Sequence, residues 1–228
     1  MTEAAARRGN TLIQDILKNP NKRAILLAAV LVLMSIVSDQ VTKMQAQRFL
    51  MVWSHETDST LYQGSRHGVL QLGDDLLANQ KMPFLSLSFN YVRNPGAAWG
   101  SFAKMAPPVR KILFHALTVV AVGVIGYFLW VTPLSNLFAR YGLYSVLAGA
   151  VGNFIDRLRM GYVIDWIDVR WRIFGWRYSF PAFNIADVCI SIGVALLIYD
   201  LIILEPRRKQ IQTPAPPSLV PPTELDGK

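Results

Sequence analysis

The chain has 228 residues, of which 52% are hydrophobic and only 17% are charged. Ordinary soluble domains carry about 25% charged residues, and the lower figure here reflects several apolar blocks. The net charge of +8 would suggest a nucleic-acid partner in a soluble protein. Because the basic residues cluster beside the apolar blocks, we expect membrane lipids as partners and no nucleic acid. The single cysteine, Cys189, excludes an internal disulfide.

The first two apolar blocks predict two membrane spans. Ala24–Val37 is short for the ~20 residues that a span requires, and it reaches that length only if it continues through Met44. The longer helix would carry Asp39 into its upper part. The second block, Ile112–Thr132, is interrupted only by His115.

Two further blocks complete a predicted bundle. The third runs from about Leu143 to Ile155 and reaches spanning length only by including Tyr141 before it and Asp156-Arg157 after it. The fourth is Ile185–Leu204. The predicted fold class is therefore an α-helical membrane protein with four transmembrane helices.

Basic residues outside the blocks predict the orientation of the bundle. They precede the first block as Arg7, Arg8, Lys18, Lys22 and Arg23, and they follow the last block as Arg207, Arg208 and Lys209. The positive-inside rule places both ends in the cytoplasm, although the loop before the fourth block also holds five arginines. Residues 1–23 carry no cleavage pattern and are expected to be a retained cytoplasmic segment. The proline-rich residues 205–228 predict a disordered cytoplasmic tail.

The segment between the first two spans predicts an extramembrane region, about residues 45–108. His55–Met82 is polar and contains glycine, which is typical of a loop. Phe84–Val92 alternates apolar and polar residues, the period of a half-buried strand. Trp166, Trp171, Trp176 and Tyr178 precede the fourth block, where an interfacial aromatic belt is expected.

Two aspartates are the leading candidates for chemistry. Asp187 opens the fourth block, and either Asp165 or Asp168 precedes it on a short segment whose spacing does not separate the two. An ionisable group at membrane depth costs several kcal/mol unless it is paired or faces a wet cavity. Two carboxylates brought together can share one proton and activate a water. Asp200, near Arg207 and Arg208, is expected to be a surface charge.

Three helix ends present further polar groups at helical spacing. These groups are Asn153, Asp156 and Arg157 on the third block, Asn184 beside Asp187 on the fourth, and Asp39 with Lys43 on the first. Residues three and four apart share a helix face, so each set forms one polar surface. Asp39–Lys43 is also compatible with a structural ion pair, and Asp156–Arg157 with a helix anchor.

Other hydrolytic machineries have little support in the sequence. The three histidines are scattered and form no zinc-binding helix motif, and no Gly-x-Ser-x-Gly elbow is present. The one cysteine has no histidine beside it to activate it. No metal or organic cofactor is expected.

Five ordered motifs together carry a family resemblance. They are Ser38-Asp-Gln-x-x-Lys43, Asn94-x-Gly-Ala-Ala-Trp99, Gly152-Asn-x-x-Asp-Arg157, Gly161-Tyr-Val-x-Asp165 and Phe183-Asn-x-Ala-Asp187. In this order, across residues 24–204, they resemble lipoprotein signal peptidase (signal peptidase II). The resemblance implies an aspartic endopeptidase of the bacterial inner membrane with a β-cradle and an active site at the periplasmic side. Its substrates would be diacylglyceryl-modified prolipoproteins, cut before the lipidated cysteine. Nothing in the sequence requires more than a monomer.

The resemblance also assigns roles to individual residues. It places the catalytic pair on Asp165 and Asp187, and so favours Asp165 over Asp168. The supporting polar residues that it implies are Asp39, Lys43, Asn94, Asn153, Asp156, Arg157 and Asn184. Two rival hypotheses use the same acids differently. A proton-coupled transporter would require Asp187 near the membrane midplane, and a non-catalytic scaffold would use the acids for helix packing.

Overall fold

The computed structural model describes residues 18–51, 67–75, 80–95, 105–173 and 176–212. Its helices are α1 (Pro20–Leu50), α2 (Pro107–Val131), α3 (Leu137–Met160), α4 (Ile185–Tyr199) and α5 (Glu205–Gln212), with a π-helical turn at Asp200–Leu204 joining the last two. Its strands are β1 (His67–Asp75), β2 (Gln80–Asn94), β3 (Val163–Ile173) and β4 (Trp176–Ser179). The strands form one antiparallel sheet in the order β1-β2-β3-β4.

Helix α1 is much longer than the apolar block that predicted it. Asn19 caps its start, because Oδ1 of Asn19 accepts hydrogen bonds from the backbone N–H groups of Asn21 and Lys22 at 3.0 and 3.2 Å. The helix then continues for 31 residues. The extended version of the first block is therefore confirmed, and Asp39 and Lys43 lie one turn apart inside the helix.

Among the described residues, three helical segments are long and apolar enough to cross a membrane: Pro20–Leu50, Pro108–Val131 and Ile185–Lys209. Helix α3 has 24 residues and is about 36 Å long, which is also a spanning length. It is not one of those three segments, so the fourth crossing stays a prediction.

Helices α3 and α4 pack closely because glycines face each other across the contact. A Cβ atom at Gly193 would lie 2.6 Å from the carbonyl oxygen of Gly142. A Cβ atom at Gly149 would overlap the carbonyl oxygen of Ala186. Close backbone approach through small residues is the usual way in which helices associate in membranes. It brings the end of α3 beside the start of α4.

This contact predicts that a glycine-to-alanine substitution within it is destabilising, whereas one outside it is not. Gly149→Ala should lower the free energy of unfolding by about 1–3 kcal/mol, the usual cost of overpacking. Gly126→Ala is the matched control, because a Cβ atom there has no heavy atom within 4 Å. Alanine's better helix propensity should make the control neutral or slightly stabilising. Thermal unfolding in detergent micelles measures both, and equal shifts would contradict the packing argument.

The sheet confirms the predicted strand and corrects the predicted loop. Phe84–Val92 lies within β2, whereas residues 67–75, predicted as loop, form β1. Strand β1 is held by backbone pairing with β2, which residue patterning does not reveal. A bulge between Phe89 and Val92 interrupts the pairing of β2 with β3 and is followed by Val92 opposite Asp165. Residues 52–66, 76–79 and 96–104 of the predicted extramembrane region lie outside the described residues.

The end of the fourth span differs from the prediction. The helix continues through the π-helical turn into α5, eight residues into the predicted tail, and residues 213–228 lie outside the described residues. Asp200 is only 7% exposed and is not the surface charge that was expected. It accepts a hydrogen bond from Asn136 at 3.0 Å and pairs with Arg208 at 2.8 Å, so α5 is anchored to the start of α3. Asn136 is distant in the sequence, and Arg208 reaches Asp200 because the helix continues beyond the predicted end of the span.

Candidate active site

Asp165 is held at the beginning of β3 by two side-chain amides. Asp165 pairs with the end of β2, and Nδ2 of Asn94, the last residue of that strand, donates to Oδ2 of Asp165 at 2.9 Å. Nδ2 of Asn184 donates to Oδ1 at 2.6 Å. Asp165 is 2% exposed. Both carboxyl oxygens are therefore fixed in direction by donors from other elements.

Asp187 is fixed by the first turn of α4. Asn184 caps this helix: its Oδ1 accepts from the backbone N–H of Asp187 at 3.0 Å, and its own backbone N–H donates to Oδ2 of Asp187 at 3.2 Å. This reciprocal arrangement is a capping box. Nδ2 of Asn153 donates to the remaining carboxyl oxygen, Oδ1, at 2.8 Å. Asn184 therefore contacts both aspartates directly.

The surroundings of Asp165 favour its protonated form. Burial, and after it the negative charge of Asp187, raise the pKa of the Asp165 carboxyl from 3.8 to about 7. The hydrogen bonds from Asn94 and Asn184 and the charge of Lys43 act in the opposite direction. A carboxyl group with this pKa retains a proton through much of the neutral range. Carboxylates this strongly coupled titrate as a pair.

A buried ion cluster lies beneath the two aspartates. Nζ of Lys43 lies 2.8 Å from Asp39 and 2.9 Å from Asp156, and all three residues are 1% exposed. The same ammonium group donates to Oδ1 of Asn153 at 2.9 Å. Because an ammonium group only donates, it fixes the Asn153 amide with its oxygen toward Lys43 and its NH₂ group toward Asp187.

The acids of this cluster also hold the neighbouring backbone. Oδ1 of Asp39 accepts from the backbone N–H of Ala186, in the first turn of α4, at 2.9 Å. Oδ2 of Asp156 accepts from the backbone N–H of Ile164, in β3, at 3.2 Å. The cluster thus connects α1 and α3 to the two elements that carry the candidate catalytic aspartates.

Gln40 belongs to this network, although its pattern in the sequence did not single it out as a site residue. Its Nε2 donates to Asp156 at 3.0 Å and lies 3.2 Å from both Asp39 and the carbonyl oxygen of Gly152. Its place in the motif Ser38-Asp-Gln-x-x-Lys43 was the available signal. Gln40 donates to Oδ1 of Asp156, whereas Lys43 contacts Oδ2 of the same carboxylate.

A cavity of about 570 Å³ lies beside the aspartates. Its polar lining residues are Asp165, Asp187, Asn94, Asn153, Arg157 and Ser191. Its other wall is largely apolar and includes Phe180, Phe183, Val188 and Ile192. The cavity therefore combines two carboxyl groups, amide donors and a guanidinium group with a surface suited to an apolar ligand.

Asp165 and Asp168, which spacing left equivalent, lie in different surroundings in the structure. Asp168, on the same strand, is not among the residues lining the cavity, and it pairs with Arg170 at 3.2 Å. Asp156 is part of the buried ion cluster, where it pairs with Lys43. Among the described residues, no three His, Cys, Asp or Glu side chains are grouped to hold a metal ion. The arrangement is suited to carboxyl acid–base chemistry on a water molecule.

Comparison with known proteins identifies the family of the chain. Residues 31–203 match the family model described as "Signal peptidase (SPase) II". The lipoprotein signal peptidase of Syntrophus aciditrophicus is 44% identical over 126 residues, covering 54% of this chain and 76% of that protein. The lipoprotein signal peptidase of Geobacter sulfurreducens is 41% identical over 132 residues, covering 57% of this chain and 78% of that protein.

Two solved structures, both described as bacterial membrane enzymes determined by the in meso method, have a similar fold. The one at 2.3 Å resolution has a TM-score of 0.62 and 29% identity, covering 84% of this chain and 96% of its own. The one at 1.9 Å resolution has a TM-score of 0.56 and 30% identity, covering 78% and 94%. The five sequence motifs, the helical fold and the matched family model lead to one conclusion: the chain belongs to the signal peptidase II family, the lipoprotein signal peptidases.

Proposed function

We propose that the chain is an aspartic endopeptidase that removes the signal peptide from diacylglyceryl-modified prolipoproteins, cutting before the lipidated cysteine. Membership of the family implies cleavage of prolipoprotein signal peptides. The observation that carries the aspartic mechanism is that Asp165 and Asp187 line one cavity and are joined through Asn184. No metal or organic cofactor takes part in this mechanism.

In the proposed reaction the pair holds a single proton. One carboxylate removes a proton from a water held between the two side chains, and the water oxygen attacks the scissile carbonyl carbon. The protonated carboxyl group donates a hydrogen bond to the carbonyl oxygen as negative charge develops there. Collapse of the tetrahedral intermediate breaks the C–N bond, and the proton passes to the leaving amine. General acid–base steps of this kind contribute about 10²–10⁴-fold to rate.

The surrounding residues receive distinct roles in this proposal. Asn94, Asn153 and Asn184 hold the carboxyl groups in direction, since each donates to one of them. The ion cluster of Asp39, Lys43 and Asp156 holds the elements that carry them. Arg157 contacts the substrate backbone, and the apolar cavity wall receives the diacylglyceryl chains from the bilayer.

The proposed placement has four spans, including α3, in the bacterial inner membrane. Both termini are cytoplasmic, and the sheet and active site are at the periplasmic side of a monomer. Asp187 is the third residue of α4 and lies in the first turn of the helix. That position supports hydrolysis at the membrane surface over proton-coupled transport, which would need a carboxyl group near the midplane.

A gel-shift cleavage assay tests the proposal. Purified protein in detergent should shorten a diacylglyceryl-modified prolipoprotein. A matched precursor that lacks the lipid should remain uncut. The second precursor controls for nonspecific proteolysis. Folded protein that leaves the modified precursor uncut would overturn the proposed function and favour the transporter.

The pH dependence of cleavage is a separate prediction. Because the pair needs one proton and the pKa of Asp165 is about 7, cleavage should decline as pH rises through about 7. Stability should change in the same direction. The folded-state pKa lies above the ordinary value of 3.8, so the folded state binds the extra proton. The stabilisation is complete below about pH 4 and is lost as pH rises toward 7.

Thermal unfolding between pH 5 and 8 checks the sign. Asp165→Asn removes the titrating group and should flatten the fall in unfolding temperature seen in the wild type. Asp168→Asn, on the same strand but outside the cavity, should retain the wild-type slope. Parallel slopes for all three proteins would show that Asp165 does not titrate in this range.

A further inference from the structure

Helix α2 contributes one aromatic contact to the site, although it carries none of the five motifs. It packs against α3. At this interface Cζ of Arg157 lies 4.7 Å from the ring centroid of Phe114. A guanidinium group within about 6 Å of an aromatic face is attracted by the ring quadrupole.

Arg157 is the cation of the cavity that has no anionic partner. Its guanidinium donates no hydrogen bond to, and forms no ion pair with, any residue that the structure describes. Its side chain nevertheless lines the cavity, where the charges of Asp187 and Asp165 act on it. A guanidinium group has five N–H donors in a fixed plane.

The choice of an aromatic ring over a carboxylate has a chemical consequence. A carboxylate partner would occupy two N–H donors and neutralise the charge. An aromatic face holds the cation through its π-system and leaves the N–H edges free. The geometry of Phe114 and Arg157 therefore keeps a charged group in place with its donors available to a ligand.

We propose that Phe114 is a positioning residue, whose ring holds the Arg157 guanidinium at the cavity so that its N–H groups bind carbonyl oxygens of the substrate beside the scissile bond. This inference rests on the proposed function of the same site. Phe114 acts through Arg157 and does not contact the reacting atoms.

Kinetics of cleavage separate this role from simple packing. Phe114→Leu keeps an apolar side chain but removes the ring, and it should lower kcat/KM by about 5- to 30-fold, the rate equivalent of a cation–π contact at a partly desolvated site. Phe114→Tyr should retain near-wild-type kcat/KM. Phe154→Leu is the matched packing control, because Phe154 packs edge-to-face on His115 at the same α2–α3 interface, with centroids 5.3 Å apart. It should leave kcat/KM within about 2-fold.

A double-substitution cycle supplies the decisive comparison. In an Arg157→Gln background, Phe114→Leu should cause no further loss of kcat/KM. Equal losses in both backgrounds, or a Phe154→Leu effect as large as that of Phe114→Leu, would overturn the positioning role. If the wild type does not cleave, the proposed function fails. Thermal unfolding of the same four proteins then tests whether Phe114 and Arg157 are coupled. Additive shifts in unfolding temperature would refute the contact.

Discussion

Asp165→Asn and Asp187→Asn should each reduce prolipoprotein cleavage by about 10²–10⁴-fold or more, because each removes a carboxyl group that the proposed proton transfers require. Asn has the size of Asp but offers one oxygen where Asp offers two, so one of the two donors to each side chain loses its acceptor. The free energy of unfolding should therefore change by no more than about 1.5 kcal/mol, the value of one hydrogen bond. Single-turnover cleavage beside thermal unfolding measures both quantities.

Asp168→Asn is the matched control for this experiment. Asp168 lies three residues from Asp165 on the same strand and is buried at 3% exposure, yet it pairs with Arg170 and does not line the cavity. Its substitution should leave kcat/KM within about 3-fold, as expected for a group outside the reaction. Cleavage that survives in both Asp165→Asn and Asp187→Asn would exclude the proposed pair and return attention to Asp168 and Asp156.

Lys43→Met should be the most destabilising single substitution in the buried ion cluster. It leaves Asp39 and Asp156 facing each other without their shared cation, both at 1% exposure. Removing one partner of a buried ion pair costs about 3–5 kcal/mol. Cleavage should fall with it, because Asn153 loses the contact that fixes its amide toward Asp187.

The chain supplies a matched exposed pair for comparison. Lys209 and Glu205 have the same i,i+4 spacing and a distance of 2.7 Å, but their side chains are 74% and 40% exposed. Lys209→Met should cost less than about 1 kcal/mol, as exposed pairs do. Adding Asp156→Asn to Lys43→Met should restore part of the lost stability by removing one of the uncompensated charges. Equal effects of the two lysine substitutions on chemical unfolding would contradict the burial argument.

Local patterns in the sequence predicted the features that depend on neighbouring residues. Apolar runs located the helices, and the i,i+4 spacing of Asp39 and Lys43 anticipated their ion pair. Alternation located β2. These signals succeed because helix and strand periods place residues on one face whatever the rest of the chain does.

Features that depend on distant contacts were beyond those patterns. Spacing left Asp165 and Asp168 equivalent, because the choice depends on strand pairing and on the bulge in β2. Phe114 resembles any lipid-facing aromatic residue until α3 brings Arg157 against its ring. Asp200 was misassigned because its partner Asn136 lies 64 positions away.

The bridging position of Asn184 has a consequence for the biogenesis of the protein. Asn184 and Asp187 belong to the last membrane helix, whereas Asp165 is synthesised before them and depends on Asn184 for its hydrogen bond at 2.6 Å. A nascent chain that ends before α4 therefore lacks the second carboxyl group and one of the two amides that orient the first. Under the proposed chemistry, hydrolytic competence is acquired in a single step, when the final helix docks. The membrane is thereby not exposed to a half-assembled protease.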